Sequence, residues 1–371
     1  MSAHTDLSAQ PELVTDANGA PQALRTPHLL VLLLLSRCNN RCRFCMVEGE
    51  AQASSELPAD VARQLVRQQP ASSWVEFFGG EPTIYPAFED LLALARERGH
   101  PCAVASNGRA FSSEAFTTRM ARHGAAHIYV RTSLYGADAQ RHDYYTRAPG
   151  SFAQTLTGLR NLARHGFTTQ VNVVVMRHNL AALPQTVDLV ASLGVPRIKF
   201  GMLVLSEHCL EEEVTLTELR PALASAARLA LAHGLQLTIE KAPLCAAPEF
   251  VSHFACERQI APVQRSYDDA GPCGPCIVRP WCPGLDPLYA RRHGSSELLP
   301  LASVPASQVQ ALAPAQPAAR EPEPFRVQWI RFEPIWREDI VALHNLADAK
   351  QRIAARLGEL ALIPSHLLSA G

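Results

Sequence analysis

The stretch from Leu29 to Cys45 reads LLVLLLLSRCNNRCRFC, seven apolar residues followed by three cysteines with the spacing C-x3-C-x2-C. A short apolar run that ends in a polar turn is typical of a strand buried on both faces of a parallel sheet. We therefore predict a first strand at residues 29–36, with the three cysteines in the loop at its carboxyl end.

Downstream, short apolar runs alternate with amphipathic segments of helix length. Further strands are predicted at 74–79, 102–106, 127–134, 169–176 and 197–204. A possible seventh strand lies at 235–240. Helices are predicted at 57–69, 86–99, 112–123, 151–165, 183–193 and 215–233. Strand–helix units in this order build a parallel sheet with right-handed crossovers, and their chemistry lies at the carboxyl ends of the strands. The fold class is therefore α/β.

The composition excludes several classes of protein. The 371 residues are 47% hydrophobic with a formal net charge of −1, so no overall field attracts nucleic acid or an anionic membrane. The first ten residues do not resemble a signal peptide, and the seven-residue apolar run is far shorter than a membrane span. We expect a cytoplasmic protein, in which the ten cysteines stay reduced and clustered cysteines bind metal.

The three cysteines after the first strand can surround one inorganic centre. Three thiolates leave one iron of a [4Fe–4S] cluster without a protein ligand and open to a small molecule. The alternatives are a zinc knuckle or three unrelated buried cysteines. Zinc needs a fourth ligand close by, and the nearest histidines are His28 and His100.

Further motifs follow the next predicted strands. Gly79-Gly80-Glu81-Pro82 follows the second strand, where the glycines would let a ligand approach the backbone and the glutamate and carbonyl groups could accept hydrogen bonds from an ammonium group. Ser106-Asn107-Gly108 ends the third strand, and Ser133 lies at the end of the fourth. All of these side chains are thus predicted at one edge of the sheet.

The pattern C-x3-C-x-aromatic-C after a first strand resembles the signature of the radical S-adenosylmethionine (radical SAM) enzymes. The resemblance implies that Cys38, Cys42 and Cys45 hold a [4Fe–4S] cluster whose open iron binds the amino and carboxylate groups of S-adenosylmethionine (SAM). It also implies a partial (β/α)6 TIM-type barrel, with the resemblance covering about residues 29–240. A reduced cluster would cleave SAM to a 5′-deoxyadenosyl radical, with electrons from a flavodoxin- or ferredoxin-type donor.

The strand-end motifs are similar to the GGEP, T/S-N-G and S-L-D-G motifs of the same family. The residues that the resemblance places near SAM are Phe44, Gly79, Gly80, Glu81, Pro82, Ser106, Asn107 and Ser133. Tyr135 stands where the family has an aspartate, so it receives no role. Asn172 on the fifth strand either reaches the cofactor or fills a layer of the barrel.

A second cysteine group lies in a segment rich in proline and glycine. Such a segment buries little apolar surface, so it needs a bound metal or another cross-link to become ordered. Cys273, Cys276 and Cys282 have the spacing C-x2-C-x5-C, similar to part of the SPASM and twitch extensions that hold auxiliary [4Fe–4S] clusters. Asp286 stands where the full SPASM pattern has a further cysteine. We therefore expect one auxiliary cluster with Cys245 as the fourth ligand and Cys256 as the competitor; a structural zinc on the same four residues is the alternative.

The predicted organisation has five parts. They are a flexible segment at 1–28, the core barrel at 29–242, the cysteine-rich region at 243–298, a Pro/Ala-rich linker at 299–325, and a tail at 326–371 containing a helix at 339–360.

The resemblance to SPASM and twitch proteins favours a peptide or natural-product precursor as the substrate. Because 28 residues are too few for a leader-binding domain, we expect a separate leader-binding protein or a small-molecule substrate. A small-molecule oxidoreductase acting on a nucleotide, sugar or cofactor precursor, and a non-catalytic iron–sulfur or zinc protein, are the alternatives.

Overall fold

The computed structural model describes residues 29–45, 56–70, 73–255, 266–305 and 327–330. Their strands form one parallel sheet in the order β7-β6-β5-β4-β3-β2-β1-β8. The strands are β1 (Leu29–Leu33), β2 (Trp74–Phe78), β3 (Cys102–Ala105), β4 (Ile128–Ser133), β5 (Thr168–Val175), β6 (Arg197–Met202), β7 (Gln236–Glu240) and β8 (Val327–Ile330).

Eight α-helices are present in the described residues. They are α1 (Ala59–Gln68), α2 (Phe88–Glu97), α3 (Glu114–Ala121), α4 (Ala139–Thr146), α5 (Ser151–Arg164), α6 (Leu183–Ser192), α7 (Leu216–Ala232) and α8 (Pro287–His293). The predicted α/β class and partial barrel are confirmed, since seven strands follow one another in chain order and the sheet does not close.

The two faces of the sheet differ in polarity, because successive residues of a strand point to opposite sides. On β2, Val75 and Phe77 are completely buried, and the Phe77 ring packs edge-on against Phe88 of α2 at 5.6 Å. Glu76, between them, lies on the other face and forms an ion pair with Arg131 of β4. The helices thus cover an apolar face, and the inner face carries charge.

An ion pair on the inner face also bridges the last two core strands. Lys199 of β6 lies 3.0 Å from Glu240 of β7, and both are largely buried. A Cβ atom added to Gly201 would lie 3.2 Å from Glu240 Oε1, so this glycine leaves space for the carboxylate to lie across β6. In the register of the sheet, Lys199 is the neighbour of Asn172, and Asn172 is the neighbour of Ser133. The three residues therefore form one row across β6, β5 and β4.

The segment after β7 contains short 3₁₀ turns followed by a compact region that ends with α8. Residues 327–330 form β8, which pairs in parallel with β1, so the tail expected to be helical from residue 326 begins as a strand. The predicted helix at 339–360, the segment at 1–28 and most of the predicted linker lie outside the described residues. In the part of the chain that the structure describes, no helix combines the length and apolar character of a membrane span.

Candidate functional site

The cysteine loop after β1 rests against the end of β2. The N–H of Gly80 donates to the carbonyl oxygen of Leu35 at 2.7 Å, and the N–H of Glu81 donates to that of Arg37 at 3.0 Å. A Cβ atom added to Gly80 would lie 2.2 Å from the Arg37 carbonyl oxygen. The sequence suggested that these glycines make room for a ligand, but in the structure they make room for the backbone of the cysteine loop.

The other side of the cysteine loop contacts the carboxyl end of α4. The N–H groups of Arg41 and Arg43 donate to the carbonyl oxygens of Thr146 and Tyr145, each at 2.8 Å. The Arg43 guanidinium carbon lies 3.9 Å from the centre of the Tyr144 ring, a cation–π contact. Helix α4 was not predicted from the sequence, yet it fixes half of this loop.

The three thiols of the loop are partly buried. Cys38 Sγ accepts a hydrogen bond from the N–H of Asn40 at 3.3 Å. Burial, and to a smaller extent the nearby Glu81 carboxylate, raises the pKa of the Cys38 thiol to about 11. A thiol with so high a pKa is protonated near neutral pH and is a weak nucleophile, whereas a bound metal would stabilise its thiolate.

Glu81 connects the ends of β2 and β3. Its side chain is completely buried, and burial raises the pKa of the carboxyl group. Oε1 accepts from the Thr83 N–H at 3.1 Å and the Ser106 hydroxyl at 2.9 Å, and Oε2 accepts from the Asn107 N–H at 2.7 Å. The carboxylate is therefore engaged by the protein itself, which leaves the carbonyl groups of the same motif as the predicted acceptors for an ammonium group. Pro82 begins the 3₁₀ turn Pro82–Ile84 that follows.

Ser106 and Asn107 also bond within the protein. The Ser106 hydroxyl, besides donating to Glu81, accepts the Gly108 N–H at 3.0 Å. The Asn107 side chain turns toward the cysteine loop, where Nδ2 donates to Asn39 Oδ1 at 2.6 Å and to Cys38 Sγ at 3.7 Å.

Ser133, the last residue of β4, lies directly opposite Asn172 in the middle of β5. Asn172 Oδ1 accepts from Gln170 Nε2 at 2.7 Å. Tyr135, which received no role from the sequence, is hydrogen-bonded to Ser133 and lies near all three cysteines of the loop. Its pKa is raised, mainly by burial and further by the Cys42 thiolate charge, so Tyr135 is a neutral hydroxyl beside the cysteine loop.

Glu212 and His178 form a carboxylate–histidine pair near the same edge of the sheet, and this pair was not predicted from the sequence. Glu212 is completely buried, and its Oε2 accepts from the Tyr145 hydroxyl at 2.8 Å and the His178 N–H at 3.1 Å. His178 Nδ1 lies 2.9 Å from Glu212 Oε1, and its ring stacks on Tyr144 at 4.7 Å. Tyr145 also packs against Phe44 at 6.1 Å. The two residues come from separate loops after β5 and β6, so no local pattern signals their pairing.

The second cysteine group lines a single cavity, formed in part by Cys245, Cys273, Cys276 and Cys282. Backbone N–H groups point at its sulfurs: Leu244 and Gly284 donate to Cys282 Sγ at 3.4 and 3.3 Å, and Leu301 donates to Cys276 Sγ at 3.4 Å. Burial raises the pKa of the Cys282 thiol to about 11. Cys256 lies outside the described residues.

Asp286, at the position of a further SPASM cysteine, begins helix α8. Its Oδ1 accepts the N–H groups of Leu288 at 2.8 Å and Tyr289 at 3.2 Å. Asp286 is therefore an N-cap whose carboxylate is engaged in the helix terminus. Cys102 is buried in β3, and the buried Cys209 sulfur accepts the Ser206 N–H at 3.2 Å.

The donor sets of both groups fit a [4Fe–4S] cluster in their chemistry, because they consist of thiol sulfurs. Among the described residues, no three Cys, His, Asp or Glu side chains are placed to hold one metal ion. A zinc site gathers four ligands within about 2.0–2.3 Å of one atom, whereas a [4Fe–4S] cluster is bound through thiolates spread over a larger body. Both groups offer sulfur donors in a loop-rich region, as such a cluster requires.

Comparison with known proteins gives one family match, since residues 32–190 match the model described as "Radical SAM superfamily". An Fe-coproporphyrin III synthase of Methanosarcina barkeri is 27% identical over 200 residues, which are 52% of this chain and 49% of that protein. The mycofactocin maturase MftC of Mycobacterium tuberculosis is 31% identical over 178 residues, covering 47% and 44%. A PqqA peptide cyclase of Streptomyces rochei is 29% identical over 190 residues, covering 49% and 50%.

The chain spans about half the length of the curated relatives it matches. Among solved structures, Streptococcus suis SuiB bound to the precursor peptide SuiA has a TM-score of 0.50 and 17% identity, covering 58% of this chain and 49% of that one. At this identity the likeness concerns the fold alone.

Proposed function

We propose that this chain, whose residues 32–190 match the radical SAM superfamily model, reductively cleaves SAM to methionine and a 5′-deoxyadenosyl radical that removes a hydrogen atom from a substrate carbon. The observation that carries the proposal is the convergence of the C-x3-C-x2-C loop with the ends of β2 and β3. The loop bonds to Gly80 and Glu81 through its backbone and to Asn107 through side chains.

Cys38, Cys42 and Cys45 would hold the [4Fe–4S] cluster, which when bound supplies the electron for cleavage and an open iron for SAM. The protein's own residues bind and orient. Ser133 at the end of β4 and Asn172 opposite it in β5 would offer a hydroxyl and an amide to polar groups of the cofactor. Phe44, against Tyr145, offers an apolar surface for the adenine.

The barrel interior would bind the substrate and exclude water from the radical. Its charged pairs, Glu76 with Arg131 and Lys199 with Glu240, lie on the same sheet face as Ser133 and Asn172. A polar substrate could form hydrogen bonds with these charged side chains, so its binding would not depend on an apolar pocket.

We further propose that Cys245, Cys273, Cys276 and Cys282 hold one auxiliary [4Fe–4S] cluster. The support is that the four residues line one cavity and that backbone N–H groups donate to the sulfurs of Cys276 and Cys282. Four thiolates fill all protein-ligand positions of such a cluster, which then accepts or stores electrons. This fits an oxidative or cross-linking reaction, in which a second electron leaves the substrate.

The proposed substrate is a peptide or natural-product precursor. The relatives named mycofactocin maturase and PqqA peptide cyclase support it. A small-molecule substrate is the second candidate, favoured by a relative named AdoMet-dependent heme synthase in Nitratidesulfovibrio vulgaris, 29% identical over 160 residues. The proposed partners are a flavodoxin- or ferredoxin-type electron donor and a separate leader-binding protein, in the cytoplasm.

The test is 5′-deoxyadenosine formation by protein reconstituted anaerobically with iron and sulfide, reduced with dithionite and incubated with SAM. We expect product from the wild type and none above background from Cys42→Ala. A wild type that carries a reducible cluster, yet forms no product and shows no SAM-induced change in its EPR signal, would refute the enzyme assignment.

The two substrate classes can be distinguished by which added compound increases the rate of 5′-deoxyadenosine formation. Addition of candidate precursor peptides, with and without a leader-binding protein, should increase 5′-deoxyadenosine formation if the substrate is a peptide. An increase with Fe-coproporphyrin III instead would favour the tetrapyrrole class.

A further inference from the structure

We propose that Asn107 positions the cluster-binding loop and donates a hydrogen bond to Cys38 Sγ that raises the reduction potential of the bound cluster. The inference rests on the proposed function. It gives Asn107 a role different from the SAM contact that the motif resemblance implies.

The orientation of the Asn107 amide is fixed by its neighbours. Oδ1 accepts the N–H of Arg109 at 3.0 Å, so the oxygen faces a donor and a flipped amide would place two donors together. Nδ2 therefore faces the cysteine loop, where its two hydrogens have two acceptors, Asn39 Oδ1 at 2.6 Å and Cys38 Sγ at 3.7 Å.

The backbone of Asn107 is equally occupied. Its N–H donates to Glu81 Oε2 at 2.7 Å, and its carbonyl oxygen accepts the Thr155 hydroxyl at 3.0 Å. Every polar atom of Asn107 thus has a protein partner. A SAM contact would require one of these bonds to break, whereas the bond to Cys38 is already present.

Arg109 holds the same turn from the next position. Its guanidinium donates to the Asn39 carbonyl oxygen and to Asn40 Oδ1, the latter at 2.8 Å, and its Nε donates to Gln154 Oε1 at 2.6 Å. Asn39 and Asn40 lie between Cys38 and Cys42. The loop after β3 therefore holds the first turn of the cysteine loop through hydrogen bonds.

Hydrogen bonds to ligand sulfurs are one of the factors that set iron–sulfur potentials. A donor withdraws charge from the thiolate and so favours the reduced, more negative cluster. Cys38 receives two such donors, the Asn40 N–H and the Asn107 amide, and only the second is a side chain that a substitution can remove.

The experiment is an EPR-monitored redox titration of the reconstituted full chain without SAM, following the reduced-cluster signal that Cys42→Ala lacks. We expect Asn107→Leu to make reduction of this cluster about tenfold less favourable, about 59 mV for one electron. Asn107→Asp keeps the shape and the acceptor for the Arg109 N–H but lacks the donor, so it should shift the potential at least as far in the same direction.

Gln154→Leu is the matched control, because it removes the same kind of group from an exposed residue that bonds to Arg109 and not to the cysteine loop. The equilibrium constant for reduction of its cluster should stay within about twofold of the wild-type value. SAM affinity, measured from the SAM-induced EPR change, is the second readout.

Unchanged potentials in both Asn107 variants would overturn the inference. An unchanged SAM-free potential combined with weaker SAM binding would instead assign Asn107 to the cofactor. Both results leave the proposed function intact, which fails only if the wild type gives no SAM-responsive cluster and no 5′-deoxyadenosine.

Discussion

The two cysteine groups of this chain are built in opposite ways. Cys38, Cys42 and Cys45 lie in a loop after β1 that three other segments hold in place: the end of β2, the loop after β3 and the end of α4. The second group lines one cavity, and its sulfurs accept N–H groups from their own region, such as Leu244 and Leu301.

The difference indicates two roles for similar chemistry. In the proposed function, three thiolates at the edge of the sheet would leave one iron open to a ligand, and polar residues lie at that same edge. Four thiolates that line one cavity leave none, and such a site transfers electrons or orders the chain. The number of cysteines and their location in the fold, more than their spacing, distinguish the two groups.

The largest expected effect separates the groups by mutation. If both proposed clusters form, Cys42→Ala should lower iron from about eight to about four per chain and reduce 5′-deoxyadenosine formation on the order of a hundredfold or more, because the proposed SAM-binding cluster would be lost. Cys276→Ala should lose a similar amount of iron but keep 5′-deoxyadenosine formation within about tenfold. Iron analysis and chromatography of the nucleoside measure both.

The comparison would break if Cys276→Ala abolished SAM cleavage while its first cluster remained intact. Zinc, rather than iron, retained by Cys42→Ala would identify the second group as a structural zinc site.

Gly80→Ala should disrupt only the first group. Its Cβ would lie 2.2 Å from the Arg37 carbonyl oxygen and 2.4 Å from that of Ser36, and backbone cannot move aside as a side chain can. We expect a loss of about 2–4 kcal/mol in the free energy of unfolding, measured by urea denaturation, and poor cluster loading at the loop.

The control for this substitution is Gly201→Ala. Its Cβ would meet the end of the Glu240 side chain at 3.2 Å, a milder contact than the backbone clash at Gly80, so a smaller loss of about 1 kcal/mol is expected. Equal losses in the two variants would mean that close packing against the cysteine loop is not what requires Gly80.

A pH effect is expected beside the first group, at His142. Burial lowers the pKa of this histidine to about 4, below the ordinary value of about 6.5, and its ring lies 5.7 Å from that of Tyr135. Between these values the unfolded chain binds the proton and the folded chain does not, so stability falls as pH falls. From pH 7 to pH 5 this amounts to about 2 kcal/mol.

The measurement is urea denaturation of the wild type and His142→Gln at both pH values. The variant should lose less stability on acidification. His127→Gln, at an exposed position, should behave as the wild type does. The same acid sensitivity in His142→Gln would show that another group carries the effect.

The smallest effect concerns Asp286. Asp286→Ala removes the N-cap of α8 and should cost about 1 kcal/mol in the free energy of unfolding, while Asp286→Asn costs less because the amide oxygen still accepts. Iron content should not change in either variant. A loss of iron in Asp286→Asn would instead make Asp286 a cluster ligand, as in the longer SPASM pattern.

Much of the fold could be predicted from local patterns. The six core strands were found because parallel strands appear as short apolar runs, and the first apolar run located the cysteine loop. Helix α4, Ala139–Thr146, was missed because its sequence AQRHDYYT has few apolar residues. The strand in the predicted helical tail, Val327–Ile330, was missed because a four-residue edge strand has little periodicity.

The site was predicted less completely. The motifs located the correct strand ends, but they did not reveal which partner each residue has. Glu81 bonds to Ser106 and Asn107, and Gly80 fits against Arg37, through contacts that only tertiary structure creates. Glu212 and His178 pair across two loops, which no sequence spacing encodes.

The most direct test of the central claim is the EPR response to SAM of each cluster alone, using Cys276→Ala to observe the first and Cys42→Ala to observe the second. We predict that SAM changes the signal of the first cluster, whose three cysteines leave an open iron, and leaves the second unchanged. An unchanged first cluster, or a second cluster that responds to SAM, would contradict the assignment of an open and a closed site.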